Sequence, residues 1–348
     1  MKRTNSGSET RPSGPSRRPI RGRRGQPVNS DTPATKAPAP RRIEIIDTLR
    51  GVALVAMATY HFSWDLEFFG YLDPGTTTHG FLKYYARSIA GSFLFLVGLS
   101  LVLAHFPQIR WKGFGKRLAM VVVAAAAISI ATYIGTPDAF IFFGILHSIA
   151  VASVLGLAFV RWPPLATLAL AVAVIALPQI WRSAVFDHPA LLWVGLSETP
   201  PRSNDYVPLF PWFGLVLAGI AAGRLLLSSG WLSRLADMPS GPRLLGFAGR
   251  HSLAFYLVHQ PVLIALVWII AQIAPPAAPD PAVSYLRSCE VNCTAQQGDA
   301  GMCVRFCACT LDRLNQEDLF EQLQSGAISV NEDERISRMA SECTAASQ

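Results

Sequence analysis

A chain of 348 residues that is 51% hydrophobic and 15% charged, with a mean hydropathy of +0.32, does not have the composition of a soluble globular protein, in which about 25% charged residues is usual. Its formal charge of +7 is unevenly spread: residues 1–42 carry eleven Lys/Arg against Glu9 and Asp31, whereas residues 283–348 carry five Arg against ten acids. The positive excess belongs to a terminal arm rather than to a nucleic-acid-binding face, and the long, nearly uncharged runs between the two ends predict an all-α polytopic membrane protein.

Residues 1–42 are rich in Ser, Pro, Gly and Arg and have almost no apolar side chains. Such a segment cannot bury a core, and a disordered basic arm is expected, anchored on the cytoplasmic side and touching anionic lipid headgroups. No short apolar stretch with a small-residue cleavage site follows Met1, so a cleaved signal peptide is not expected. Arg41-Arg42 has the form of a twin-arginine signal, but Asp47 and Arg50 interrupt the stretch after it.

About seven apolar segments approach the length of about 20 residues that a helix needs to cross a bilayer. They are Ile45–Trp64, Tyr84–His105, Leu118–Ile134, Ala139–Val160, Pro164–Ile180, Val207–Leu227 and Ser252–Ile273, and Ala184–Gly195 reads as an interfacial or re-entrant piece. Arg110, Lys112, Lys116 and Arg117 follow the second segment, Arg161 the fourth, and Arg234, Arg243 and Arg250 the sixth. Asp65, Glu67, Asp73, Asp138, Asp187, Glu198 and Asp205 lie in the alternate loops. This bias predicts a cytoplasmic N-terminus and, with seven spans, a C-terminus on the far side. The domain expectation is an arm over 1–42, a membrane domain over 43–275 and a tail over 276–348.

All six cysteines, Cys289, Cys293, Cys303, Cys307, Cys309 and Cys343, fall in that tail. An even number crowded into a short polar segment suits an oxidising compartment. Cys289/Cys293 and Cys303/Cys307 each have i, i+4 spacing, which puts each pair on one helical face and predicts a small disulfide-rich helical hairpin. Fifteen pairings exist; the one expected is Cys289–Cys307, Cys293–Cys303 and Cys309–Cys343. Zinc or iron–sulfur ligation is the alternative, though the tail has neither His nor a C-x-x-C knuckle, and no metal is expected. Leu311, Leu314, Phe320 and Leu323 would cover the staples with an amphipathic helix.

Ionisable groups inside a span are costly and mark candidate sites. The first segment holds Asp47, Arg50 and His61, with Asp65 one turn later. Eleven residues at 100° each bring Arg50 and His61 to within about 20° of one helix face, roughly 16 Å apart along the axis. One stripe thus carries an anion-binding group at one end and a general base at the other, with Asp65 placed to orient the imidazole. Packing alone is the competing account: a snorkelling Arg50 and a satisfied core His61. Arg87, His147, His251 and His259, with Asp205 and Trp212 near the sixth segment, suggest a polar cavity inside the bundle.

The run Ile46-Asp47-Thr48-Leu49-Arg50-Gly51-Val52-Ala53, ending in Tyr60-His61-Phe62-Ser63-Trp64-Asp65-Leu66, resembles the first span of the heparan-alpha-glucosaminide N-acetyltransferase catalytic-domain family. Four later stretches resemble the bacterial members of the same family: Ser92–Gly98, Phe143–His147, Phe210–Gly214 and Gly249–Pro261. The resemblance covers about residues 43–273, and the Arg, ten residues, His pattern of the wider transmembrane acyltransferase superfamily fits Arg50 and His61. It implies an O- or N-acetyltransferase that moves an acetyl group from acetyl-CoA to an acceptor, here expected to be a carbohydrate, at the far side of the membrane. His61 would be the catalytic histidine with Asp65 beside it. Arg50, with Asp47, Arg87, His147, Trp212, His251 and His259, would line the donor and substrate site. A bacterial inner membrane is the expected location. No bound cofactor and no nucleic-acid partner are expected, and homo-oligomerisation stays open.

On this reading His61 accepts a proton from the acceptor, Arg50 and the Arg110–Arg117 loop hold the CoA phosphates, and a covalent acetyl-histidine is a variant of the same chemistry. Two readings from other classes compete. The same buried groups suit a transporter, flippase or proton-coupled carrier, although the sequence shows neither an internal repeat nor matched broken helices. The tail could instead make the chain a scaffold, with His61 dispensable.

Overall fold

The computed structural model describes residues 43–239, 241–277, 280–295, 299–328 and 333–347; the predicted arm lies outside them. The described residues are helical and contain no strand. Nine α-helices build the apolar part: α1 (Glu44–Phe68), α2 (Gly80–His105), α3 (Trp111–Gly135), α4 (Ile145–Gly156), α5 (Pro164–Ile180), α6 (Leu209–Ser228), α7 (Trp231–Asp237), α8 (Arg243–Arg250) and α9 (Ser252–Ile273). The tail adds α10 (Pro281–Ala295), α11 (Ala300–Gln316), α12 (Phe320–Gln324) and α13 (Glu334–Ser347).

Each of the seven apolar segments contains a helix, but they are not equivalent. By length and composition α2, α3, α6 and α9 can cross a membrane, whereas α4 and α5 are shorter apolar helices. The fourth segment departs most from expectation. It is helical only over the 12 residues of α4, about 18 Å of rise, and the chain before it is not a helix of the same span. There the Ala139 and Phe143 carbonyls accept from the Asn204 and Val207 amides (2.8 and 3.1 Å). The loop before α6 thus takes the backbone bonds that a longer helix would have used. A half-length helix is therefore present where the sequence showed no broken span. Ala184–Gly195 contains two 3-10 turns, Ala184–Asp187 and Leu192–Val194.

Glycine sets the helix spacing. A Cβ on Gly98 would lie 1.9 Å from the Val216 carbonyl, and one on Gly219 would lie 2.1 Å from that of Phe95. α2 and α6 therefore meet backbone to backbone, as small residues allow in membrane helices, around the fully buried Leu94, Val216, Leu217 and Ile220. α8 wedges against α1 in the same way, with Gly249 facing the Asp47 carbonyl and Gly51 facing that of Leu245. α3 and α9 lie outermost: 11% of the apolar window of each is buried, against 56% for α2. Their outward side chains, among them Val123, Ile130 and Trp268, are exposed apolar groups, and lipid is the solvent that suits them.

In the tail the expected pairing is the one formed, Cys289–Cys307, Cys293–Cys303 and Cys309–Cys343, with Cα–Cα distances of 5.8, 5.7 and 5.7 Å. With all six cysteines in disulfides, no thiolate is left to ligate zinc or iron. The first two bonds tie α10 to α11 and the third ties α11 to α13. Leu314, Leu319, Ile336 and Met339 close a small core with Tyr285, Phe320 and Leu323 packed on it.

Candidate active site

α1 presents both candidate residues on one side, as its helical period requires. Near its start the Arg50 guanidinium pairs with the buried Asp47 at 3.1 Å and donates a second bond to the Ser100 hydroxyl on α2. That hydroxyl in turn donates to the Leu96 carbonyl. Three turns further on, His61 Nδ1 and His259 Nε2 share a hydrogen bond of 2.6 Å between α1 and α9. The two rings are nearly parallel, 11° apart, with centroids separated by 4.9 Å. His259 is buried, and its Nδ1 lies 2.8 Å from the Tyr256 carbonyl and 3.2 Å from that of Phe255.

Asp65 does not orient His61. The described residues show no bond between them; Asp65, fully buried, accepts from the Gln260 side-chain amide at 2.7 Å. The geometric reason is that α9 reaches both residues: its neighbours His259 and Gln260 take His61 and Asp65 respectively. Asp65 Oδ2 and Gln260 Oε1 have no hydrogen-bond partner among the described residues.

An open cavity of about 450 Å³ lies on the Arg50 side. Arg50, Lys116, Arg117 and Arg250 line it together with His105 and His251, and no Asp or Glu is among its lining residues. These cations come from α1, α3 and α8, brought together because α8 is wedged on the first turns of α1 and leads directly into α9. Apolar Leu54, Phe93 and Tyr256 form part of its wall. Leu54, Met57 and Ile89 form a buried cluster with Phe93 and Tyr256 against it. Leu54 and Met57 lie between Arg50 and His61 along α1.

The remaining predicted residues are dispersed. His251 lines the cavity. His147 lies outside it, accepting the Gly144 amide at Nδ1 (3.3 Å) and facing the Ser129 hydroxyl from Nε2 (3.2 Å), which is a packing role. Trp212 packs on the α2–α6 core. Arg87 is exposed on α2 and forms no hydrogen bond or ion pair among the described residues. Sequence reasoning left Ser100, His105, Tyr256 and Arg250 out of the site; Ser100, a hydroxyl inside an apolar run, was the one available signal. It also left out the role of Asp205. That carboxylate accepts the Ile145 amide at 2.8 Å, capping α4 where its orphan N–H groups and dipole favour an anion. Gly144 makes room for it, since a Cβ there would lie 2.3 Å from Asp205 Oδ2. Burial pushes the Asp205 carboxyl up to about 6, against the pull of the Ile145 amide, and its charge lies within electrostatic reach of Tyr60 and Tyr256.

Residues 42–261 match the family described as heparan-alpha-glucosaminide N-acetyltransferase, catalytic. The chain belongs to this family. The matched region takes in α1 to α8 and the first half of α9, hence Arg50, His61, the whole cationic cavity, His259 and Gln260, and it stops before the disulfide-rich tail. No curated protein and no solved structure matches the chain. Within the matched region three Gly residues have visible work: Gly144 admits the Asp205 carboxylate, Gly214 admits the α5 backbone at Ala171, and Gly249 admits α1.

Proposed function

We infer that the protein is an integral-membrane acetyltransferase that uses acetyl-CoA, held from the cytoplasmic side, to acetylate a carbohydrate hydroxyl or amine on the opposite side. The observation that carries this reading is the cationic cavity on the same helix as His61. Four permanent cations without a lining carboxylate suit a polyphosphate, because phosphate pairs with Arg and Lys through charge-assisted hydrogen bonds. Arg50 is held in position by Asp47 and Ser100, so little order must be gained when the donor binds. The acyl arm would then lie along the stripe from Arg50 toward His61, roughly 16 Å away by helical rise. At the far end His61 takes the proton of the acceptor as it attacks the acetyl carbonyl and returns it to the departing thiolate.

The family match supports the acetyl transfer. Loop charges support a seven-span chain with a cytoplasmic N-terminus and a C-terminus on the far side, in which α1, α4 and α5 complete the four longer apolar helices; the bacterial inner membrane is proposed on the sequence resemblance and the small number of spans. The three disulfides agree with an oxidising compartment for the tail. A homo-oligomer is compatible with the broad apolar faces of α3 and α9. The second reading, a transporter or flippase, is favoured by one observation: α4 is a half-length helix whose capped N-terminus meets a loop carboxylate, the kind of broken element found in carriers.

Purified protein in lipid nanodiscs, supplied with labelled acetyl-CoA and pooled envelope glycans, separates the two. CoA release by wild type that disappears in His61→Ala, with the variant still inserted, is the expected result. Absence of donor binding and of release in wild type would overturn the enzyme reading and make substrate flux the next assay.

A further inference from the structure

We propose that His259 is a positioning residue that fixes His61 as the Nδ1–H tautomer, so that His61 Nε2 is the atom that handles the proton. The assignment follows from hydrogen-bond bookkeeping along one chain of atoms and rests on the acetyltransferase reading above only for its catalytic meaning.

A backbone carbonyl only accepts. His259 Nδ1 lies 2.8 Å from the Tyr256 carbonyl and so carries the hydrogen of that bond. A neutral imidazole has a single N–H, which leaves His259 Nε2 with a lone pair. His61 Nδ1 is 2.6 Å from that lone pair and must be the donor. His61 Nε2 is then left without a hydrogen, as a general base requires. The order is the one that a carboxylate imposes on histidine in hydrolytic triads, where an acceptor on Nδ1–H sets the tautomer and steadies the imidazolium that forms; here a second histidine, anchored on a helix carbonyl, takes the place of the carboxylate. Asp65 cannot fill that place, since its bond goes to Gln260.

The step is balanced within this frame. The acceptor X–H attacks the acetyl carbonyl, the X–C bond forms and the C–S bond breaks. The X–H proton passes to His61 Nε2 and from there to the CoA thiolate. Throughout, His61 Nδ1–H stays bonded to His259 Nε2. Because α9 supplies the anchor, the tautomer is set by an element far from His61 in sequence.

The test combines kinetics with nitrogen NMR on protein labelled with 15N-histidine in nanodiscs. The chain has seven histidines, and the His61 signals are those lost in His61→Ala. In wild type they are expected to show a protonated Nδ1 and a bare Nε2. His259→Gln, whose amide oxygen can accept at a similar reach, is expected to keep that signature and most of the turnover. His259→Leu removes the acceptor; it is expected to lower kcat by about a hundredfold or more, by analogy with the loss when a triad histidine is left in the wrong tautomer, with the donor KM unchanged and the His61 signals redistributed between tautomers. An Nε2–H tautomer for His61 in wild type overturns the proposal whatever the kinetics. So does full turnover in His259→Leu, or a loss in that variant with an unchanged His61 signature. If His259→Leu fails to insert, the wild-type spectrum decides alone. Should wild type show no turnover at all, the acetyltransferase reading fails while the tautomer assignment is still judged by its spectrum.

Discussion

Arg50 sits between a buried carboxylate and a hydroxyl and lines a cavity of like charges. That arrangement fixes the guanidinium in the wall that would receive the donor. Replacing it by Ala is therefore expected to raise the donor KM by about ten- to a hundredfold, the equivalent of one or two charge-assisted hydrogen bonds of ~1.5–3 kcal/mol, with a smaller effect on kcat; steady-state kinetics over a range of acetyl-CoA concentrations measures the split. Asp205 makes a different prediction. Its carboxyl titrates near 6 because burial disfavours the charge, well above the value of about 3.9 expected for the unfolded chain. The native state thus binds the extra proton between these values, and stability falls as pH rises from about 4 to about 6, then levels off. Asp205→Asn has no such titration, so its melting temperature in detergent is expected to gain on that of wild type across that window. Parallel melting curves for the two proteins from pH 4 to 7 would contradict this. At this scale the sequence was half legible. The 100° period alone places Arg50 and His61 on one side of a helix. The partner of His61 stands 198 positions away, and no local period reports a contact at that separation.

Helices were legible wherever their apolar runs were long, because a run of that length has no other way to satisfy its backbone in lipid. Their seams were not, since a Gly within an apolar run looks the same whether it meets a neighbouring backbone or empty space. The structure separates these cases. Gly98→Ala and Gly219→Ala each drive a methyl group into a carbonyl of the facing helix, and each is expected to cost about 1–3 kcal/mol, the usual range for overpacking. Gly115→Ala in α3 meets nothing within 4 Å. It is expected to be neutral or to stabilise by up to ~1 kcal/mol through helix propensity. Thermal unfolding of the three variants in one detergent ranks them. The short α4 was missed for a related reason: hydropathy counts Phe140–Phe143 as apolar, and only the bonds from Asn204 and Val207 show that this stretch pairs with a loop.

For the whole molecule, charge and cysteine placement carry the organisation, and these are properties that survive without knowledge of contacts. Even the tail pairing was readable from two i, i+4 spacings and the need to join two helices. The tail should behave as a unit with its own stability. Removing the bond between Cys309 and Cys343, which closes a sequence separation of 34 residues, is expected to destabilise it by about 3–4 kcal/mol on loop-entropy grounds. Cys309→Ser/Cys343→Ser should then lose protection of α13 in hydrogen exchange while α2 and α6 stay protected; equal loss in the bundle would show that the two parts unfold together. Chain orientation is checked by impermeant thiol reagents after mild reduction, expected to reach the tail from the outer face alone.

The apolar layer of Leu54, Met57, Ile89 and Phe93 also has an electrical meaning. A membrane that holds a proton gradient cannot tolerate a water file running from one aqueous phase through imidazoles to the other. An open cavity lies at Arg50, and His61 stands further along the same helix, bonded to His259 of α9; the buried layer between them is expected to keep such a water file from forming. Leu54, wholly buried, lines the cavity together with Phe93, and Leu54→Ala is expected to make proteoliposomes leak protons while leaving the cations of the cavity in place.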